Sequence, residues 1–356
     1  LNKPTLSWGH EPRHGGGDRL QAGVRGVPCL GRRRARVTRW RKHMPLVTES
    51  VLGSIGNTPL VELRKVVPAG CGRVFAKLEW TNPTGSMKDR MAAAAIRNAE
   101  ADGRLQPGST VVEYTAGTTG ISLALVCAAR GYGLEIVFSN AFSDEKRHTM
   151  QAFGARITDV QSNNQQITEA LIKAMIDTAA EISHRPGHWY CDQLNNHDAI
   201  EGYVPLGEEI WRQAGGEVAA FVHSVGTAHS IHGVTQALWR HDPKVRVVAV
   251  EPAESAVLSG GPTGSHKIEG IGIGFIPPLW RPDQVNEILP VATQEAKEMA
   301  RRLAREEGIF GGISSGANVV AAIRVARRLG PGANVVTIIC DSGLRYLSTD
   351  VYRTPA

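Results

Sequence analysis

The feature that most constrains the fold is an alternation of short apolar runs with helical stretches, which begins at Met44 and continues almost to the end of the chain. Several of these runs are apolar on both faces, which is typical of strands in a parallel sheet covered by helices on both sides. They are RVFAKLEW (73–80), STVVEYT (109–115), LEIVFSN (134–140), ARITDV (155–160), AAFVHSVG (219–226), KVRVVAVEP (244–252) and NVVTIICDSG (334–343). The pattern predicts an α/β fold with mostly parallel, doubly wound sheets.

Helices are predicted between these strands. Their ranges are 86–103, 119–133, 143–154, 165–183, 230–241, 293–307 and 315–329. The first has Ser86 as a candidate N-cap, Asp89 three residues later and Gly103 at its exit. Residues 253–292 are the least regular part of the chain, and a long irregular segment of this kind often lines a functional site.

Basic residues are concentrated near the start of the chain. The net charge is +6 and the pI about 9.2, yet residues 1–43 contain a cluster of arginines opposed only by Glu11 and Asp18. The remainder is slightly acidic, so nucleic-acid binding would depend on this tail alone. A transit peptide is an alternative, although Ser7 is the only serine in the tail. We expect a disordered basic tail that is not part of the fold.

The cysteines and the hydropathy exclude several classes of protein. Five cysteines, without a C-x-x-C pair, favour neither a disulfide framework nor a zinc site. Their usage indicates a reducing compartment, and we expect a cytoplasmic protein without a metal site. No run reaches the roughly 18 to 20 apolar residues that a membrane helix needs.

Candidate functional residues lie in four loops, each at the carboxyl end of a predicted strand. The loops are 81–88, 115–120, 226–230 and 341–345. Ligands of doubly wound sheets bind beyond these strand ends. We therefore expect the four loops to converge on one cleft.

Lys88 lies in NPTGSMKDR (82–90), at about the second position of the predicted helix. The positive end of a helix and burial both lower the pKa of an ammonium group. Schiff-base chemistry requires such a neutral amine. A solvated lysine at a helix start is the alternative interpretation.

Two further turns could bind parts of a phosphorylated heterocycle. In GTAHS (226–230), backbone N–H groups at a helix start can hold a phosphate, with Thr227 and Ser230 as hydroxyl donors. An ordinary strand–helix connection would look the same. Ser342, in TIICDSG, could hydrogen-bond a ring nitrogen, but it could also be a plain turn residue. Asp341 could take the same role or cap the next segment.

Together these stretches resemble the cysteine synthase and cystathionine β-synthase family of pyridoxal-phosphate enzymes, which have fold type II and are similar to the tryptophan synthase β chain. The resemblance covers about residues 48–350. Its matching stretches are SIGNTPLVEL (54–63), NPTGSMKDR (82–90), HKIEGIGIGFIP (266–277), GISSGAN (312–318) and DSGLRYLST (341–349), with weaker matches in TAGTTG (115–120), DEKRHTMQAFGA (144–155) and DQLNN (192–196).

The resemblance implies two doubly wound domains with mostly parallel sheets and an active site in the cleft between them. Residues 48–81 plus 197–350 would form the large cofactor-binding domain, and residues 82–196 a smaller mobile domain. Lys88 would be the catalytic residue and would form a Schiff base with pyridoxal 5'-phosphate. The implied cofactor-binding residues are Lys88, Thr118, Gly226, Thr227, Ala228, His229, Ser230 and Ser342. The implied substrate-binding residues are Thr115, Ala116, Gly117, Thr119, Gln193 and Gly270.

The neutral hydroxyl of Ser342 favours a particular reaction type within this resemblance. It supports ring protonation less than a carboxylate would, so the ring is a weaker electron sink and rapid loss of a β leaving group is favoured. Lys88 would remove the Cα proton, and a nucleophile would add to the resulting aminoacrylate. The implied activity is cysteine synthase, which converts O-acetylserine and sulfide to cysteine and acetate. Cysteine desulfhydrase, cystathionine β-synthase-like and 2,3-diaminopropionate synthase activities are alternatives, as is a catalytically impaired relative that only binds a partner.

Two loops depart from the usual family pattern. TAGTTG replaces TSGNTG, so Ala116 and Thr118 change contacts to substrate and cofactor, and GTAHS replaces GTGGT. Side chains at Ala228 and His229 are expected to be tolerated only with φ below zero. His229 could add an imidazole near the phosphate, and a surface histidine is the alternative. These differences indicate a divergent subfamily.

The expected partners follow from the same resemblance. They are a small amino-acid substrate, a sulfide or thiol nucleophile and a second copy of the chain in a homodimer, with the C-terminal tail of a serine acetyltransferase as a further candidate. Neither a membrane nor a nucleic acid is expected as a partner.

Overall fold

The computed structural model describes residues 47–162 and 168–352, so the predicted tail 1–43 lies outside the described residues. The strands are β1 (Leu60–Leu63), β2 (Arg73–Leu78), β3 (Thr110–Tyr114), β4 (Gly133–Ser139), β5 (Arg156–Val160), β6 (His188–Tyr190), β7 (Ala220–Ser224), β8 (Arg246–Pro252), β9 (Glu287–Val291) and β10 (Asn334–Ile339). The α-helices are α1 (Lys88–Ala101), α2 (Thr118–Arg130), α3 (Asp144–Ala152), α4 (Glu169–Ser183), α5 (Asp198–Glu201), α6 (Val204–Gln213), α7 (His229–His241), α8 (Thr293–Arg302) and α9 (Ile313–Leu329).

Two sheets organise these elements. The larger has the order β1-β2-β10-β7-β8-β9, and all its strand pairs are parallel except the antiparallel pair of β1 and β2. The smaller has the order β5-β4-β3-β6 and is parallel throughout. The predicted α/β class with mostly parallel sheets is confirmed.

Helices cover both faces of each sheet. In β7, Phe221 packs with the apolar residues of α6 and α7, whereas Ala220 and Val222 pack with those of α8 and α9. The smaller sheet packs α1, α2 and α3 on one face and α4 on the other. Because successive residues of a strand point to opposite faces, the continuous apolar runs of the sequence are what a sheet buried on both sides requires.

The sheet order brings predicted loops together. The strands β2, β10 and β7 are direct neighbours and parallel, so the loops after Leu78, Ile339 and Ser224 meet at one edge of the larger sheet. In the smaller sheet, β3 is parallel to β6, so residues 115–119 meet the loop that contains Gln193. The division into moving domains at residues 82 and 196 remains a prediction.

Several predicted boundaries differ from the structure. The helix predicted at 86–103 is Lys88–Ala101, which makes Lys88 the first helical residue. The helix predicted at 293–307 ends at Arg302 and continues as one turn of π-helix, Leu303–Glu307. The irregular segment 253–292 contains β9. The elements β1, β6 and α5 were not predicted, because such short elements carry too little periodicity, and the ten-residue α6 was also missed. None of the helices in the described ranges has the length and apolar character needed to cross a bilayer.

Candidate active site

Lys88 begins α1 at the edge of the larger sheet where β2 and β10 end. The two segments pair there: Met87 N donates to the Cys340 carbonyl at 2.9 Å, and Ser342 N donates to the Gly85 carbonyl at 3.0 Å. The Lys88 amine makes no hydrogen bond or ion pair within the described residues, and the residue is half-buried. Burial lowers its pKa, and the negative potentials of Cys340 and Asp341 only partly oppose this shift.

The turn before Lys88 is held by the side chain of Asp89. The Asp89 carboxylate accepts hydrogen bonds from Thr84 N at 2.8 Å and Ser122 Oγ at 2.6 Å. Ser86 Oγ accepts from Lys88 N at 3.2 Å, but the helix begins at Lys88 and its N-cap is Met87, so the predicted N-cap at Ser86 is wrong by one residue. Asp89 therefore ties the turn to α2 instead of reaching back to Ser86, and the position of Lys88 is set by contacts to both α2 and β10.

The loop 226–230 joins β7 to α7 and presents free donors. The N–H groups of Gly226, Thr227 and Ala228 have no acceptor in the described part of the chain. A side chain at Gly226 would collide with the Gly270 carbonyl oxygen, so this loop packs directly against residue 270. N–H groups that converge at a helix N-terminus form a site for an anion.

Ala228 has φ of 69°, so the expectation that its φ lies below zero is wrong. The left-handed conformation costs a residue with a Cβ about 1–2 kcal/mol. Here it turns the chain from the loop into α7, for which Ala228 is the N-cap. The surrounding packing must therefore stabilise the turn against its local strain.

His229 is buried, with 1% of its surface exposed, so the alternative of a surface histidine is wrong. Its Nδ1 lies 2.9 Å from Thr227 Oγ1, and its ring also faces the backbone of Gln193. Burial lowers the pKa of His229 well below its ordinary value. His229 therefore lies in the interior of the site, because it is the first residue of α7 and directly follows the loop.

Asp341 and Ser342 follow β10 and point to different neighbours. Asp341 is buried; its Oδ2 accepts from the Tyr346 hydroxyl at 2.7 Å, its Oδ1 packs against Gly312, and burial raises its pKa. The Ser342 side chain lies opposite Gly85, where its Cβ is 3.5 Å from the position that a Cβ would occupy. Ser342 is thus the residue of the two that faces the turn leading to Lys88.

The predicted substrate loop is held by internal hydrogen bonds. Thr119 Oγ1 donates to Gln193 Oε1 at 2.8 Å, and Gln193 Nε2 donates to the Tyr114 carbonyl at 2.8 Å. Thr115 Oγ1 accepts from Gly117 N at 2.9 Å. The structure thus brings 115–119 and Gln193 together, with Gln193 supporting the loop, while Ala116 is exposed and Thr118 is the first residue of α2.

Sequence reasoning missed an ion pair that connects the two sheets. Lys146 on α3 pairs with Glu269, which precedes Gly270. The Lys146 side chain occupies the space where a Cβ of Gly117 would be, so only glycine fits at position 117. The φ of Gly117, 129°, also favours glycine. The only signal in the sequence was Glu269, a charged residue within the glycine-rich stretch IEGIG. The pattern indicated neither the partner of this carboxylate nor the direction in which its side chain points.

Comparisons with known proteins agree with this arrangement. A family model described as pyridoxal-phosphate dependent enzyme matches residues 51–341. The chain is similar to the cysteine synthase of Staphylococcus aureus strain N315, with 42% identity over 306 residues that cover 85% of this chain and 97% of that protein.

Two solved structures show the same likeness. An O-acetylserine sulfhydrylase, isoform 3, from Entamoeba histolytica has a TM-score of 0.81 and 38% identity, covering 89% of this chain and 96% of that one. An O-acetylserine-dependent cystathionine β-synthase from Helicobacter pylori has a TM-score of 0.81 and 32% identity, covering 87% of this chain and 100% of that one.

Proposed function

Because the chain belongs to the family of pyridoxal-phosphate-dependent enzymes, we propose that it is a cysteine synthase, which replaces the acetate of O-acetylserine by sulfide. The similarity to cysteine synthases extends over most of the chain and supports this assignment. The observation that carries the proposal is Lys88. It has a lowered pKa, and it begins a helix beside a loop whose N–H donors, like the Lys88 amine, have no partner among the described residues.

The residues present fit pyridoxal phosphate. The N–H groups of Gly226, Thr227 and Ala228 and the N-terminus of α7 would hold its phosphate. Ser342 would hydrogen-bond its ring nitrogen as a neutral partner. When bound, the cofactor would supply an aldehyde for the amino group of the substrate and an electron sink that weakens the Cα–H bond.

The protein supplies the positioning and the proton transfers. Residues 115–119, supported by Gln193, would hold the substrate carboxylate. The neutral amine of Lys88 is the nucleophile toward the cofactor aldehyde and later the base that takes the Cα proton. Burial lowers the pKa of that amine, since an ammonium group would have to give up its hydration there, and this favours the unprotonated form.

The proposal is tested by following cofactor attachment and turnover separately. The purified protein, loaded with pyridoxal phosphate and reduced with borohydride, should carry the label on Lys88 in peptide mass spectrometry. Lys88→Ala should lose the visible absorbance and at least about 10³-fold in turnover, since both nucleophile and base are removed. Lys173→Ala, at an exposed position of α4, is the matched control. A label on another lysine would refute the assignment.

Donor and nucleophile are resolved by the same preparation. O-acetylserine, O-phosphoserine, serine and cysteine are supplied in turn, with sulfide, homocysteine or ammonia as nucleophile. Cysteine formed fastest from O-acetylserine and sulfide supports the proposal. Faster formation of cystathionine, of 2,3-diaminopropionate or of sulfide from cysteine would assign the alternative activities. A bound cofactor without turnover of any donor would indicate an impaired, partner-binding relative.

We further propose that the protein is a cytoplasmic homodimer whose cleft accepts the C-terminal tail of a serine acetyltransferase, and that residues 82–196 close over the substrate. The described cysteines are all free thiols, which suits a reducing compartment. Ile276, Leu344 and Leu347 are more than half exposed and could belong to a subunit interface. Light scattering during gel filtration and titration with the tail peptide would test the two interactions.

A further inference from the structure

A chain of three buried polar side chains lies behind the loop 226–230. Asn318 on α9 is next to His223 at the end of β7, and His223 is next to Ser230 in the first turn of α7. Asn318 Nδ2 lies 3.3 Å from His223 Nδ1, and His223 Nε2 lies 2.8 Å from Ser230 Oγ. The direction of these two hydrogen bonds decides what the Ser230 hydroxyl can do.

The orientation of the Asn318 amide is fixed by two backbone groups. Its Oδ1 accepts from Ser224 N at 2.8 Å, and its Nδ2 donates to the Ile338 carbonyl at 2.8 Å. A backbone N–H can only donate and a carbonyl can only accept. A flipped amide would place its NH₂ group against the Ser224 N–H and its oxygen against the Ile338 carbonyl. The NH₂ group is therefore the one that faces His223.

The tautomer of His223 follows from that orientation. Asn318 Nδ2 gives one N–H to the Ile338 carbonyl, and its other N–H lies between His223 Nδ1 at 3.3 Å and Cys340 Sγ at 3.4 Å. Because the group that faces His223 Nδ1 is an NH₂ and not an acceptor, this ring nitrogen is the unprotonated one. A neutral imidazole carries one N–H, which must then be on Nε2. Burial lowers the pKa of His223 to about 3, so the ring is neutral at physiological pH.

We propose that His223 and Asn318 are positioning residues. They orient the Ser230 hydroxyl so that it donates its proton in a hydrogen bond to the phosphate of the cofactor. His223 Nε2–H donates to Ser230 Oγ, so the hydroxyl keeps its own proton for another acceptor. Ser230 lies at the N-terminus of α7, beside the free N–H groups of 226–228. If the ring proton were on Nδ1 instead, His223 Nε2 would accept the hydrogen bond from the Ser230 hydroxyl. A lone pair of Ser230 Oγ would then face the phosphate. This inference rests on the proposed function, since it requires a bound phosphate.

The hydrogen-bond chain also has an energetic consequence. A hydroxyl that accepts a hydrogen bond becomes a better donor, because the two bonds polarise each other in a low-dielectric interior. A hydrogen bond from that hydroxyl to a phosphate dianion is charge-assisted and stronger than a neutral one. Removing the hydroxyl should therefore weaken binding of the phosphorylated cofactor and leave binding of the unphosphorylated aldehyde unaffected.

The proton position can be measured on the wild-type holoenzyme. Nitrogen-15 NMR of histidine-labelled protein, with His223 assigned by its absence in His223→Phe, separates protonated from unprotonated ring nitrogens. We expect a protonated Nε2 and an unprotonated Nδ1 near neutral pH. A proton on Nδ1, or on both nitrogens, would overturn the inference. The proton position is read from wild type, and the buried variant serves only to assign the resonance.

Binding measurements test the effect on the phosphate. Affinities for pyridoxal phosphate and for pyridoxal, which lacks the phosphate, are compared in wild type, Ser230→Ala, Ser230→Thr and His223→Phe. Ser230→Ala should weaken binding of the phosphorylated form roughly tenfold and that of pyridoxal not at all. Ser230→Thr, which keeps a hydroxyl, should restore it. His223→Phe added to Ser230→Ala should cause no further loss.

The outcomes separate this inference from the proposed function. Wild type that binds neither aldehyde would refute both. Wild type that binds pyridoxal phosphate on Lys88 while Ser230→Ala weakens both aldehydes equally, or neither, would leave the function standing and refute the role of Ser230. Additive losses in the double variant would show that His223 does not act through Ser230.

Discussion

Lys88 is a residue whose usefulness to a reaction conflicts with its contribution to stability. Its pKa is lowered in the folded protein and returns to 10.5 on unfolding, so the unfolded chain binds more protons between these values. The folded state without cofactor therefore bears a penalty at neutral pH, which is relieved as the pH rises toward 10.5. Strained or desolvated groups of this kind are common at active sites.

This conflict predicts that a catalytically dead variant is the more stable protein. Without cofactor, Lys88→Met should raise the free energy of unfolding at pH 7 by about 1–2 kcal/mol, since an unpartnered buried polar group is removed. The gain should shrink as the pH approaches 10.5. Urea unfolding at several pH values measures it, with Lys173→Met as an exposed control. A gain that grows with pH would contradict the assigned direction of the pKa shift.

A second residue-scale prediction concerns the left-handed Ala228, whose φ is 69°. Glycine reaches this conformation without a Cβ penalty, so Ala228→Gly should stabilise the cofactor-free protein by about 1 kcal/mol. Ala174→Gly, at an exposed position inside α4, is the matched control and should cost about 1 kcal/mol. Equal destabilisation by both changes would show that the turn at residue 228 carries no strain.

At the level of elements, α1 is anchored by buried charges two residues after Lys88. Arg90 donates from Nε to Glu79 at 2.7 Å and from Nη2 to Glu209 on α6 at 2.9 Å. Lys77 on β2 also pairs with Glu209, at 2.7 Å. The helix start is thus tied to the larger sheet and to α6 by charges that have almost no contact with water, and each depends on its partners.

Removal of the central cation should be costly. Arg90→Met leaves Glu79 buried without its guanidinium partner, and the free energy of unfolding should fall by about 3–5 kcal/mol. Arg302→Ala breaks the exposed Arg302–Glu306 pair and is the control, with an expected loss below about 0.5 kcal/mol. Denaturant unfolding monitored by circular dichroism compares them. Similar losses in both variants would rule out a special contribution of the network.

The same network predicts a specific sensitivity to acid. Burial alone would raise the pKa of Glu209, but the hydrogen bonds and charges of Arg90 and Lys77 lower it from 4.5 to about 2. A lowered carboxyl pKa gives stability that is present above 4.5 and lost as the pH falls toward 2. Glu209→Gln should be less stable at neutral pH and should show a flatter decline of stability across that window. Identical acid profiles would exclude Glu209 from this coupling.

At the level of the whole molecule, residues from both sheets surround one region. The larger sheet contributes the loops that carry Lys88, Ser342 and 226–230, and the smaller contributes 115–119 and Gln193. The Lys146–Glu269 pair connects the smaller sheet to the segment that packs on the phosphate-type loop. Substrate-linked closure of one sheet toward the other would have to accommodate this contact.

The basic tail gives a prediction at this scale. All the candidate site residues lie within 47–352, so a chain of residues 44–356 should keep cofactor affinity and turnover within about twofold of the full chain. Any affinity for DNA or RNA should disappear with residues 1–43, because the cluster of arginines is removed. Spectral titration and gel-shift assays on both chains measure the two effects. Loss of turnover on truncation would show that the tail contributes to the enzyme.

The sequence by itself was enough for the α/β class, because apolar runs on both faces and their alternation with helices are local patterns that burial imposes directly. Ordered motifs around Lys88, Gly226 and Ser342 were likewise enough to indicate the chemistry. It could not predict short elements such as β6 and α5, in which fewer than two helical turns or a few strand residues are too little for a period to show.

Only the tertiary structure decided the electrostatics and the direction of the side chains. The burial of His229, the left-handed turn at Ala228, the Lys146–Glu269 pair and the proton direction from Asn318 through His223 to Ser230 all depend on partners far apart in the chain. Desolvation and hydrogen-bond direction are properties of a packed neighbourhood, and no local pattern of residues specifies that neighbourhood.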